Sequence, residues 1–99
     1  MMNLSEGINS INEFFNMTEE FVRDRENIYR RIIKQNINVD YAKDILDDCI
    51  MEFNLLWRRY HDMMALVETE EELEEAIPCD NNMTRIKELH KLIGDALYK

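Results

Sequence analysis

Glycine occurs twice and proline once in this 99-residue sequence, so turn-forming residues are almost missing. A β-sandwich or barrel needs a turn about every 8–12 residues, and there is little here to build one. Two glycines also cannot supply the loops that cradle nucleotide phosphates. Long apolar runs are absent: no stretch approaches the roughly 18 uncharged residues of a membrane span. The stretch Met1 to Asn9 shows neither the basic nor the apolar region of a secretory leader, which leads us to expect a cytoplasmic protein without membrane contact. Cations are outnumbered, with 12 Lys and Arg against 21 Asp and Glu and a formal net charge of −9. Such a surplus opposes direct binding to nucleic acid. The two cysteines are expected to be free thiols of a reducing compartment, Cys49 on an apolar helical stripe and Cys79 in a loop behind Pro78.

What remains is a chain with 45% hydrophobic residues, too apolar for an acidic disordered tail and the right length for a single domain. The expected fold is all-α: an antiparallel hairpin of two long helices with a shorter C-terminal helix, a three-helix bundle that dimerisation could double. The first helix is expected over about 6–35, capped by Ser5, with Ile11, Phe14, Phe15, Phe21, Val22, Ile28, Ile32 and Ile33 on its inner stripe. Asn16 with Glu19 has the form of a capping box and marks a candidate break. After the polar stretch Gln35 to Asp40, the second helix is expected over about 41–67. Its seam Ala42, Leu46, Cys49, Phe53, Leu56, Tyr60, Met63 and Val67 alternates spacings of four and three. An acidic connector is expected over 68–80, with a short helical piece capped by Thr69 and Glu72 and stopped by Pro78. A last helix, about 83–98, would turn Met83, Ile86, Leu89, His90, Leu92, Ile93, Ala96 and Leu97 inward.

Charge is distributed unevenly. Residues 68–80 hold seven acidic groups and no basic one, leaving −2 for the rest of the chain. The first helix is acidic then basic and the second acidic then basic, so an antiparallel pair lays opposite charges together. The glutamate cluster has no counterpart in this scheme. On the second helix, Met51, Leu55 and Leu66 fall away from the seam among Asp44, Asp48 and Asp62, where a three-helix monomer has no evident way to cover them.

Catalytic and metal-binding patterns are sparse. His61 and His90 follow Arg58 and Lys87 at three residues, not the glutamates of a di-metal bundle, and the cysteines and histidines at 49, 61, 79 and 90 lack the close pairs of a zinc site. Cys79 and His90 could pair, but no group orients the histidine and no oxyanion loop is present. Glu70, Glu71 and Glu74 are similar to half of the acidic helix pattern of bundle-type nucleotide pyrophosphohydrolases, whose second acidic pair this chain lacks. The basic doublets Arg30-Arg31 and Arg58-Arg59 do not sit in a DNA-reading helix-turn-helix layout.

The expectation is therefore a protein that is not an enzyme and carries no cofactor or metal. It would be an acidic helical binding module, an inhibitor or adaptor, engaging a basic surface of a partner protein, with nucleic-acid-handling proteins among the candidates. Its partner-binding residues would be Glu70, Glu71, Glu72, Glu74, Glu75, Met51, Leu55 and Leu66. Self-association is also expected. The competing readings are a structural homo-oligomeric subunit and a small-molecule enzyme in a dimeric bundle.

Overall fold

A computed structural model describes residues 4–98, with side chains from Ser10 onward. Three helices follow one another: α1 (Leu4–Ile33), α2 (Val39–Met64) and α3 (Glu70–Leu97). They form an elongated bundle of 51 × 19 × 17 Å. Met1 to Asn3, part of the stretch read for a leader, lie outside the described residues. No helix of the described residues is long and apolar enough to cross a membrane.

The first connection is short because both of its ends are chemically marked. Gln35 adopts a left-handed φ of 58°, the Asn36 N–H donates to the Arg31 carbonyl at 3.0 Å and the Gln35 N–H to the Ile32 carbonyl at 3.1 Å. These are the paired bonds of a Schellman motif, closing α1 two residues before the expected end. Asn38 then caps α2, its Oδ1 accepting from the Tyr41 N–H at 3.0 Å.

α1 passes through Asn16 without a break. The Thr18 hydroxyl donates back to the Phe15 carbonyl at 2.8 Å and accepts from Asn82 Nδ2 at 3.0 Å. This buried threonine thus satisfies its hydroxyl inside the helix and across to α3.

The acidic connector is helix. α3 starts at Glu70 and runs for 28 residues, with Pro78 in its interior. A mid-helix proline removes one backbone bond and costs about 3 kcal/mol. Here Pro78 and Glu74, whose carbonyl loses its partner, both face solvent, so water can take the freed carbonyl. On the opposite side Ala76, Cys79 and Met83 are buried, and their packing needs the helix to continue. Cys79 is accordingly a core residue, fully buried, with its thiol donating to the Ile11 carbonyl at 3.6 Å.

Residue pairs fix the directions. Ile11 meets Cys79, Thr18 meets Asn82 and Arg25 meets His90, so α1 and α3 run parallel. α2 is antiparallel to both, pairing Arg25 with Glu52 and Tyr60 with Asp80. The hydrophobic interior falls into two clusters. One joins Ile11, Phe14, Val22, Leu56, Met83 and Ile86, among others; the second joins Ile28, Ala42, Leu46, Cys49, Ile93 and Leu97 near the α1–α2 turn.

Candidate docking surfaces

Between the two clusters lies a polar layer, one residue group from each helix. Arg25 is only 2% exposed. Its guanidinium donates to Asp24 at 2.8 Å, to Glu52 at 3.0 Å and to His90 Nε2 at 3.3 Å, and it lies 4.6 Å over the Phe21 ring. Each of its three nitrogens donates one hydrogen bond, the pairing that a buried arginine requires. His90 accepts through Nε2 and is therefore the neutral tautomer. Burial, followed by the adjacent Arg25 charge, pushes its pKa down to about 4. Arg25 to Glu52 is the one interhelical ion pair among the described residues. It realises the expected basic-on-acidic match of antiparallel α1 and α2 at one place, while Arg58 and Arg59 form no ion pair with α1 among the described residues. The layer belongs to the scaffold, where one buried charge fixes the register of three helices.

No thiol is activated. Burial raises Cys79 to about 11 and also raises Cys49, so both stay protonated at neutral pH. Cys79 and His90 bond to different partners, the Ile11 carbonyl and Arg25. Among the described residues no group of three or more His, Cys, Asp or Glu is arranged to hold a metal ion.

Among the described residues, the expected site residues fall on two surfaces of unmatched character. The first is the outer face of α3's opening turns. Glu70, Glu71, Glu74 and Glu75 are exposed, and none forms an ion pair with the described lysines and arginines. Three acidic residues in the first turn suit the positive end of the helix dipole. Glu72 corrects the expected set. It is 4% exposed, with Oε1 accepting from the Thr69 hydroxyl at 3.1 Å and the Glu68 N–H at 3.3 Å, while its own N–H donates to Thr69 Oγ1 at 3.1 Å. Its work is capping, and it is not available to a partner. Leu73 and Ile77, at 49% and 52% exposed, stand one turn apart beside these glutamates. Sequence reasoning passed them over because the segment was read as a connector, although their i, i+4 spacing was a signal of a common face.

The second surface is a groove between α1 and α2, on whose floor lie Phe14, Met17, Phe21, Leu56 and Met63. Three open cavities of about 300, 230 and 250 Å³ follow one another along it. Leu55, 60% exposed, forms its lip. Leu66 lines its far end beside Ser10 and Glu13; it lies in the turn after α2, half-buried, and not on the outer face of a longer helix. Met51, 66% exposed, stands one turn before Leu55 and lines none of these cavities. The structure thus brings Leu55 and Leu66 to one groove and leaves the glutamates of α3 outside it. Trp57 is 44% exposed and stacks on Phe53 and Tyr60. No protein-family model, no curated protein and no solved structure matches this chain.

Proposed function

We propose that the protein is a non-catalytic, acidic helical binding module that acts as an inhibitor or adaptor by engaging a basic surface of another protein. The observation that carries this reading is the exposed carboxylate set Glu70, Glu71, Glu74 and Glu75, which the described cations leave without an ion pair. The molecule's cations are engaged elsewhere or stand apart: Arg25 in the polar layer, Arg30 with Glu26, Arg85 with Glu88. Unmatched negative potential beside apolar Leu73 and Ile77 is the pattern by which a charged partner is steered and then held.

The test is a comparative affinity purification at two salt concentrations with the wild type and a Glu70→Lys, Glu71→Lys, Glu74→Lys, Glu75→Lys variant. Glu72 is left intact because its reversal would break the cap. Loss of salt-sensitive partners from the variant is expected; an unchanged set would remove the reading. The alternative, a homo-oligomeric structural subunit in which self-association is the function, draws on Met51 and Leu55, which nothing in the bundle covers. Sedimentation separates the two: Leu55→Asp would dissolve a higher oligomer while leaving outside partners bound.

A further inference from the structure

We infer that the α1/α2 groove is a seat for one basic amphipathic helix of a partner protein, which completes the three-helix bundle as a fourth helix. This goes beyond the binding-module reading: it concerns a second surface, apart from the α3 glutamates that carry that reading.

Shape comes first. From Ser10 to Asp24 the groove follows α1 for about 21 Å at a helical rise of 1.5 Å per residue, or four turns. Its floor includes the adaptable methionines Met17 and Met63 beside the flat ring of Phe21, the type of surface that accepts an apolar helix stripe. Leu55 stands upright on the lip with most of its surface in water, where an incoming helix would cover it.

Charge then selects the occupant. The rims carry Glu13, Glu20 and Asp24 from α1 and Glu52 and Asp62 from α2. Against these five carboxylates stand two guanidiniums, Arg25 and Arg59. Arg25 is already committed to Asp24 and Glu52, and Arg59 rests on the Met17 sulfur at 3.8 Å. Glu13, Glu20 and Asp62 form no ion pair with the described residues and face a bound helix from both sides. Lysines or arginines flanking an apolar stripe fit that frame. A second copy docking through Met51, Leu55, Leu73 or Ile77, four of its uncovered apolar residues, fits it poorly, because these lie among Asp48, Glu52, Glu70 and Glu74 and like charges would meet.

The experiment uses a fluorescein-labelled synthetic helix of leucine and lysine, about 18 residues long with leucines at i, i+3, i+4 and i+7, and its glutamate-for-lysine counterpart as control. Fluorescence anisotropy is read for the whole chain, for Leu55→Asp, for Glu13→Lys with Glu20→Lys, and for the fourfold α3 reversal. All substituted positions are exposed, and circular dichroism confirms that each variant keeps its helix content. The basic helix is expected to bind and the acidic one not. Leu55→Asp and the Glu13→Lys, Glu20→Lys pair should each weaken binding about tenfold or more, and the α3 reversal less than about threefold. Equal binding of both peptides, or no binding of either, overturns the inference. Loss only in the α3 reversal overturns the groove as the seat while the binding-module reading stands. A wild-type dimer that Leu55→Asp turns into a monomer would place a second copy in the groove and overturn it as well.

Discussion

α1 presents one side to α3 and another to α2, and the two sides are finished differently. Toward α3 the seam is closed: Ile11, Thr18, Cys79 and Ile86 are buried at 1% exposure or less, and hydroxyl, amide and thiol groups find partners across it. Toward α2 the helices share Phe14, Leu56 and Met63 at depth and then part, leaving Met17 and Phe21 in an open groove under Leu55. A parallel pair distant in sequence is therefore packed more completely than the antiparallel pair joined by a tight turn. Stability is concentrated in the α1/α3 seam, which leaves the α1/α2 face free to be shaped by something other than the fold's own needs.

The contrast can be broken or sharpened by substitution. The largest expected effect is at the seam, where Ile86→Ala leaves a cavity among fully buried neighbours and should cost about 3 kcal/mol in urea unfolding. Leu55→Ala on the groove lip should change stability by less than about 0.5 kcal/mol. Comparable costs at the two positions would erase the distinction. Next comes Arg25, which touches both sides. Arg25→Ala removes the stack on Phe21 and the bonds to Glu52 and His90, but the orphaned carboxylates are half-exposed and regain water. A loss of about 2 kcal/mol is expected.

A pH effect follows from His90. Its pKa falls from the ordinary 6.5 to about 4 in the folded protein. The unfolded chain therefore binds the proton first, and stability declines as pH drops from about 6.5 towards 4 and levels off below. For a half-buried ring the decline should amount to about 1–2 kcal/mol. His90→Gln should flatten the pH dependence of the melting temperature in that window, and an unaltered slope would contradict the assignment of a neutral His90. Smaller again is the cap of α3: Thr69→Ala should lower stability by about 1 kcal/mol.

Much of the scaffold was legible as pattern. The alternating seam of α2 places Ala42, Leu46, Cys49, Leu56 and Met63 in the core, and Met83, Ile86, Leu89, Ile93 and Leu97 occupy the expected inner stripe of α3. Asn38 and the Thr69–Glu72 pair cap the helices that their types announce. The failure lay at Pro78, where a local breaker was weighed without the burial of Ala76 and Cys79 that outweighs it. Ending the helix there also hides the face shared by Leu73 and Ile77, whereas Glu72 stands among the expected exposed acids despite its own capping signature. The close parallel packing of α1 on α3 left no trace in local periodicity, since it depends on how wide apolar stripes are shared among three helices. Met51 and Leu55 stood out correctly as uncovered residues, but the groove beside them needed the positions of Met17 and Phe21 on another helix.

The most direct measurement is a two-dimensional amide NMR titration of the isotope-labelled protein with the basic amphipathic helix. Shifts concentrated at Met17, Phe21, Leu55 and Arg59, with the seam residues Thr18, Cys79 and Ile86 unmoved, are the predicted result. Shifts confined to Glu70–Ile77, or spread evenly over all three helices, would contradict the view that the open side of α1 is the side that binds.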